Sequence, residues 1–103
     1  MKVFISQPMR GKTDDEIKEE RAAAEGLVRG KLRGDVEVID LSFMDVAPKM
    51  KHQAVYYLGR SIQLLADADM IVCLKGWEDA RGCRIEKAIA TEYGIPALLA
   101  PEP

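Results

Sequence analysis

The amino-acid sequence predicts an α/β fold in which helices cover both faces of a parallel sheet. The first observation is four short apolar, β-branched runs at 2–6, 36–40, 70–74 and 95–99, which are typical of buried strands. The second is that each gap between them holds a stretch with helical apolar spacing. This alternation indicates right-handed crossovers and a doubly wound sheet. We expect a single domain over residues 1–103, since compact domains commonly have about 100–150 residues.

The first helix is predicted from its N-terminal cap and its apolar face. Thr13 followed by Glu16 fits a capping box, in which the two side chains each bond a backbone N–H. We expect this helix to stop around Gly34, a residue type suited to the end of a helix. Its apolar positions are Ile17, Ala24, Leu27, Val28 and Leu32.

The second and third helices are predicted in the same way. Apolar residues at helical spacing precede an expected end near Asp67, namely Val55, Leu58, Ile62 and Leu65. Residues 41–53 have mixed polarity and are interpreted as a loop with at most one helical turn. The third helix should run from about 83 to 93, with Gly94 as its C-terminal cap.

Composition and charge exclude several classes of protein. Lys and Arg number 15 against 17 Asp and Glu, and the net charge of −2 gives no basic surface for duplex nucleic acid. No apolar run approaches the ~20 residues that cross a bilayer, and the first residues lack the features of a secretory signal. We therefore expect a cytoplasmic protein without membrane contact, whose partners are small molecules or copies of itself.

Two cysteines and one histidine limit the available chemistry. Cys73 and Cys83 lie ten residues apart, and with the single His52 they do not make a zinc site. Reduced thiols are the favoured interpretation, with a disulfide between them as the alternative. Because no Ser or Cys nucleophile motif accompanies the histidine, carboxylates must carry any catalysis.

The predicted topology locates the site. In a doubly wound sheet, ligands bind outside the carboxyl ends of the strands, where the strand order reverses. For a flavodoxin-like sheet of about four strands in the order 2-1-3-4, that point lies between the first and third strands. The segments that meet there are 7–13 and 75–86.

The first of these segments has the features of an anion site. Gln7, Arg10 and Gly11 precede the predicted helix, whose N-terminal N–H groups and partial positive charge suit a phosphate or carboxylate. Gly11 would let the backbone approach a ligand closely. The alternative is an ordinary turn between strand and helix with two solvated cations, Arg10 and Lys12.

The second segment offers a carboxylate and an aromatic ring. Gly76 and Trp77 follow the third strand, and Gly82 lies four residues before Glu86. In the first helical turn the dipole would lower the pKa of Glu86 and keep it ionised, so that it could act as a nucleophile. Trp77 could stack on a ring substrate. The alternatives are a simple helix charge for Glu86 and a core or interface aromatic for Trp77.

Arg81 and Arg84 flank Gly82 on the predicted helix. They could hold Glu86 and Glu78 in place, or they could grip a phosphate through two parallel hydrogen bonds. Solvated charges with i,i+3 partners are the alternative.

Two sequence blocks resemble the DUF4406 family and, more widely, the nucleoside 2-deoxyribosyltransferase-like superfamily. One is VFISQPMRGK at 3–12, and the other is ADMIVCLKGW at 68–77 followed by ARGCRIE at 80–86. The resemblance implies a flavodoxin-like sheet, a homodimer or larger assembly, a nucleoside or nucleotide substrate, and neither metal nor organic cofactor.

The resemblance also implies residue roles. In characterised enzymes of the superfamily, a glutamate attacks C1′ of a deoxyribonucleoside, the base leaves, and water or another base resolves the glycosyl-enzyme. Glu86 matches this nucleophile, with Gly82 preceding it as in those enzymes. Arg10 and Gly11 match a segment that helps to hold a 5′-phosphate.

Three positions depart from the superfamily pattern. Phe4 stands where a tyrosine hydroxyl orients the nucleophile, and Ser61 stands where an aspartate protonates the leaving base. Ala80 replaces an aspartate or serine. General acid help is typically worth about 10²–10⁴ in rate, so its loss would matter. Nearby carboxylates that could substitute are Asp67, Glu78 and Asp79.

Three functions therefore stay open at this point. The first is an enzyme that makes or breaks an N-glycosidic bond, with Glu86 as nucleophile and Gln7, Gly76, Trp77 and Arg81 among the substrate-binding residues. The second is a nucleotide-binding protein that keeps the cleft without the chemistry. The third is an interaction module in which aromatic side chains form an oligomer interface, with Trp77, Tyr56 and Tyr57 as candidates.

Overall fold

The computed structural model describes residues 1–41 and 48–103, which form an α/β fold. The strands are β1 (Lys2–Ser6), β2 (Glu37–Val38), β3 (Met70–Cys73) and β4 (Ala97–Leu99). The helices are α1 (Asp14–Lys31), α2 (Gln53–Leu65) and α3 (Arg81–Glu92), and a 3₁₀ turn covers Trp77–Asp79. Part of the loop expected between β2 and α2, residues 42–47, lies outside the described residues.

All four strands are parallel, and their order across the sheet is β2-β1-β3-β4, which confirms the predicted order 2-1-3-4. In the central pair Val3 lies opposite Met70 and Ser6 lies opposite Cys73. Because the two central strands end side by side, the loops that follow them leave the sheet at the same edge.

Helices cover both faces of the sheet, as predicted for a doubly wound fold. Successive side chains of a strand point to opposite faces, so β1 contributes to two separate clusters. The cluster beneath α1 contains Val3, Ile5, Ala24, Val28 and Val72. The cluster beneath α2 and α3 contains Phe4, Leu65, Ile71, Cys73 and Ala90.

Both edge strands are shorter than the apolar runs suggested. β2 keeps only two residues of the predicted five, although the Ile39 N–H still donates to the Val3 carbonyl at 2.9 Å. β4 begins after Pro96, whose carbonyl accepts from the Ile71 N–H at 3.0 Å. Proline has no N–H of its own, so it suits this entry to an edge strand.

The capping box predicted for α1 is confirmed. The Glu16 N–H donates to Thr13 Oγ1 at 3.1 Å, and the Thr13 N–H donates to Glu16 Oε1 at 3.3 Å. These two bonds satisfy backbone donors that a helix start otherwise leaves to water.

The apolar face expected for α2 is wrong at its first position. Leu65 is 1% exposed, whereas Val55 is 66% exposed in the first turn, at the end of the helix away from Leu65. Tyr56 and Tyr57 contact each other edge to face, with ring centroids 5.7 Å apart. Their role at an interface between copies of the chain stays a prediction.

Within residues 1–41 and 48–103, no helix combines the length and apolar character of a membrane span.

We expect the Leu65→Ala variant to lose about 2–5 kcal/mol of unfolding free energy, because the deletion leaves a cavity in the core beneath α2. The matched control is Val55→Ala on the same helix, which should change it by less than about 0.5 kcal/mol, since this side chain faces solvent. Urea denaturation of both variants measures the difference. Equal losses would contradict the burial pattern of α2.

Candidate functional site

A cavity of about 1000 Å³ opens at the carboxyl edge of β1 and β3. Its wall combines the loop after β1, one face of α2, and the segment from the end of β3 into α3. The two segments that the topology singled out therefore meet around one space. The predicted site residues on its wall are Gln7, Arg10, Gly76, Arg81, Gly82 and Glu86.

Two predicted site residues, Gly11 and Trp77, do not lie on this wall. Gly11 has φ +80°, a left-handed conformation that favours glycine, so its role here is to turn the chain before α1. Trp77 packs against the cluster beneath α2 and α3, and the Lys87 Nζ lies 5.8 Å from its ring centroid. This packing agrees with the alternative interpretation of Trp77 as a core aromatic, and its stacking on a ligand stays a prediction.

Gly76 brings the two loops into contact. Its φ of +92° is again in the left-handed region, which allows the chain to turn directly after β3. A Cβ at this position would stand 3.8 Å from Pro8 Cγ of the first loop. The turn thus places the second loop against the first and closes one side of the cavity.

Glu86 is the carboxylate at the floor of the cavity. It is the sixth residue of α3, because the helix starts at Arg81, so the expectation of a first-turn position is wrong. Glu86 is only 8% exposed. The Ser6 hydroxyl, at the end of β1, donates to Glu86 Oε1 at 2.6 Å.

The expected lowering of the Glu86 pKa is also wrong. Burial raises the pKa of Glu86 above its ordinary value, and the hydrogen bond from Ser6 partly offsets that effect. The helix dipole acts mainly on the first turn, whereas Glu86 lies in the second and is largely withdrawn from water. Its protonated form therefore persists to a higher pH than that of an exposed glutamate.

Two thiols lie beside this carboxylate. Cys73 ends β3 opposite Ser6, Cys83 lies in the first turn of α3, and both are buried and free. Burial raises the pKa of Cys73 to about 12 and also raises the pKa of Cys83, and the nearby charge of Glu86 acts in the same direction. Both groups are therefore neutral thiols at physiological pH, which are poor nucleophiles.

The cavity wall carries more positive than negative side chains. Lys12 pairs with Glu20 at 2.6 Å, and Arg84 donates to the Glu78 carbonyl at 2.9 Å, so Arg84 is held by backbone rather than by Glu86. Within the described part of the chain, three further cations on the wall have no partner, namely Arg10, Lys75 and Arg81. Among the residues that the structure describes, the acidic groups on the wall are Asp79 and Glu86. This balance favours an anionic ligand.

Gln7 anchors the first loop to α1. Its Nε2 donates to the Ile17 carbonyl at 2.8 Å, and since a carbonyl can only accept, this contact fixes which way the amide points. Gln7 Oε1 is buried and has no partner among the described residues. The side chain is therefore in part a structural tie, although it also forms part of the cavity wall.

The three positions at which the resemblance led us to expect other side chains all line the cavity, namely Phe4, Ser61 and Ala80. Among the carboxylates considered as substitutes, Asp79 lies on the wall, while Asp67 is exposed and pairs with Lys2. Glu78 is exposed, is not on the wall and offers its backbone carbonyl to Arg84.

Ser6 and Lys75 are the residues that the sequence prediction missed. Ser6 ends an otherwise apolar strand, and a polar residue at the carboxyl end of a buried central strand was the available signal.

In the described ranges, His, Cys, Asp and Glu form no group of three or more that could hold a metal ion.

Fold and site together define a small α/β protein with a cation-rimmed cavity and a buried carboxylate at the carboxyl edge of its sheet. The chain matches the family model described as "Domain of unknown function (DUF4406)" over residues 1–99, and it belongs to that family. Neither the curated proteins nor the solved structures yielded a match.

We expect the Glu86→Gln variant to be more stable than the wild type at pH 7, by on the order of 1 kcal/mol. The folded-state pKa of Glu86 lies above the ordinary value of 4.5, so its favourable contribution is complete below that value. This contribution to the free energy of unfolding is lost as pH rises through the folded-state pKa of Glu86. The variant has no ionisable group at this position, so its stability does not fall in the same way. Urea denaturation between pH 4 and 8 measures the difference, which should grow with pH.

The matched control is Glu19→Gln, an exposed glutamate on α1. This variant removes one carboxylate outside the core, so it controls for the loss of a negative charge. A Glu86→Gln stability difference that does not change with pH would show that burial does not perturb Glu86.

Proposed function

We propose that this protein cleaves or transfers the N-glycosidic bond of a nucleoside or nucleoside 5′-monophosphate, with Glu86 as the nucleophile. The observation that carries the proposal is a buried carboxylate, bonded to Ser6, at the floor of a cavity rimmed by unpaired cations. The resemblance to the nucleoside 2-deoxyribosyltransferase-like superfamily, in which Glu86 occupies the nucleophile's position, supports it further.

The reaction that suits this arrangement has two steps. The Glu86 carboxylate forms an ester bond with C1′ of the sugar while the bond from C1′ to the base breaks, and the electron pair of that bond passes to the base nitrogen. The base takes up a proton as it leaves. Water or a second base then attacks C1′, breaks the ester and restores the carboxylate.

The leaving base needs a proton donor. Among the described residues, Asp79 is the other carboxylate on the cavity wall, and we assign it to this role. Ser61, at the position that the resemblance associates with an aspartate, offers a hydroxyl of much higher pKa, which is a poor acid at neutral pH.

The unpaired cations suit a phosphate on the substrate. Arg10 extends from the first loop and Arg81 from the start of α3, so they reach the cavity from its two sides. Arginine can give a phosphate two parallel charge-assisted hydrogen bonds. A nucleoside 5′-monophosphate can therefore pair with more of the charged side chains on the wall than an uncharged nucleoside can.

A second candidate function is nucleotide binding without catalysis. It is favoured by Phe4, Ser61 and Ala80, which line the cavity with no ionisable group, and by the raised Glu86 pKa, which lowers the fraction of carboxylate available for attack. The two candidates differ in whether a base is released from a bound nucleotide.

If the enzyme proposal is right, Glu86→Gln should abolish release of free base from nucleoside 5′-monophosphates while nucleotide affinity changes little. The amide keeps the volume of the side chain but cannot form the glycosyl ester. Chromatography of reaction mixtures over a panel of nucleotides measures release, and calorimetry measures affinity. The expected loss of rate is at least about 10³-fold.

Asp79→Asn serves as the companion variant, with an expected loss of about 10²–10⁴ that a substrate with a better leaving group should partly restore. Base release that persists unchanged in Glu86→Gln would exclude Glu86 as the nucleophile. Binding without release in the wild type would favour the second candidate.

We expect Arg10→Gln to weaken binding of a nucleoside 5′-monophosphate about tenfold, because a charge-assisted contact to phosphate is lost. Binding of the same nucleoside without phosphate should not change. Arg33→Gln is the control, since Arg33 is exposed and lies off the cavity wall. Titration calorimetry measures the affinity for both ligands. An equal loss of affinity for the nucleotide and the nucleoside would show that Arg10 does not contact the phosphate.

A further inference from the structure

We propose that Ser6 is the positioning residue of this site: its hydroxyl holds Glu86 Oε1, so that Oε2 is the oxygen presented to the ligand. The inference rests on the proposed role of Glu86 as nucleophile. It concerns a residue whose side chain does not itself reach the substrate but fixes the group that does.

The first support is the rigidity of the donor. Ser6 is fully buried and ends β1, which has a neighbouring strand on each side. Its carbonyl accepts from the Leu74 N–H at 3.0 Å, which ties the end of β1 to the residue that follows β3. A hydroxyl on such a backbone can fix a carboxylate more closely than one on a loop could.

The second support is the contact itself. The distance of 2.6 Å between Ser6 Oγ and Glu86 Oε1 lies in the range of charge-assisted O–H···O⁻ bonds. Ser6 and Phe4 point to the same face of β1, the face that α3 covers, and Phe4 has no hydroxyl. Ser6 is therefore the hydroxyl that this face of the strand can offer to Glu86.

The third support is the state of the other carboxylate oxygen. Glu86 Oε2 accepts no hydrogen bond from the described residues. Among the described residues, the side-chain atoms that are both fully buried and without a hydrogen-bond partner are Gln7 Oε1 and Arg60 Nε. Glu86 Oε2 is not among them, so this oxygen keeps some exposure to solvent. Since Glu86 lies on the cavity wall, Oε2 is the oxygen that remains accessible from the cavity.

The titratable groups around Glu86 do not duplicate this role. Cys73 on β3 and Cys83 on α3 are neutral thiols, and within the described residues neither donates to Glu86. Cys83 is instead a second neighbour of the Ser6 hydroxyl, whose hydrogen bond lowers the Cys83 pKa against the larger effect of burial. Lys87 on α3 and Lys12 on the first loop are cations near these thiols, and Lys12 is paired with Glu20. Loss of the Ser6 hydroxyl therefore leaves the buried carboxylate without its donor, which favours its protonated form.

The decisive experiment follows the Glu86 carboxyl carbon by NMR in protein labelled with ¹³C-glutamate, across a pH titration, with Glu86→Gln to assign the signal. We expect the Glu86 pKa to rise in Ser6→Ala and to rise less in Ser6→Cys, whose thiol is a weaker donor. The matched control is Ser61→Ala, which removes a hydroxyl from α2 on the same cavity wall and should leave the Glu86 pKa unchanged.

The kinetic arm uses base release from a nucleoside 5′-monophosphate. In Ser6→Ala, kcat should fall by about tenfold or more with little change in KM, and the acidic limb of the pH–rate profile should move to higher pH. Partial recovery of kcat in Ser6→Cys supports the same conclusion.

The outcomes separate this inference from the proposed function. If the wild type releases no base, the proposed function fails, yet the titration still decides whether Ser6 controls Glu86. A Glu86 pKa that is the same in the wild type and Ser6→Ala would overturn the positioning role. Should Ser6→Ala fail to fold, Ser6→Cys carries the same test, because its side chain is close in volume to serine.

Discussion

The hydrogen bond between Ser6 and Glu86 is the contact on which the site depends. It joins the end of a central strand to the second turn of α3, and it lies where the sheet, the helix and the cavity meet. A carboxylate withdrawn from water to this extent is costly unless a donor satisfies it. The position of α3 against the sheet, the ionisation of Glu86 and the access to its second oxygen are therefore linked through one donor.

Much of the fold could be predicted from the sequence because its signals are local. The capping box at Thr13, the apolar run of β3 and the alternation of strands and helices each depend on neighbouring residues, and together they limit the topology to a few parallel arrangements. The location of the site then followed from the strand order, since the carboxyl ends of β1 and β3 must lie together.

The sequence could not supply facts that depend on distant packing. The burial of Glu86 comes from the packing of α3 against the sheet, and its hydrogen-bond partner Ser6 is eighty residues away. A prediction based on the helix dipole alone therefore gave the wrong direction for its pKa. Trp77 follows β3 in either interpretation, and its packing against the cluster beneath α2 and α3 involves residues that are distant in the sequence. Val55 has helical spacing from the other apolar residues of α2, yet the first turn extends beyond the core.

The electrostatics of the cavity bear on the choice between catalysis and simple binding. Its unpaired cations attract an anion, whereas Glu86, when ionised, opposes one and also lowers the stability of the fold. A glutamine at this position would avoid the loss of stability while its amide oxygen could still accept the hydrogen bond from Ser6. In a binding protein such a carboxylate could accept hydrogen bonds from a sugar or a base, whereas a nucleophile must also be held firmly and open on one oxygen. The combination of a buried carboxylate and a rigid donor therefore supports the proposal that Glu86 acts as a nucleophile.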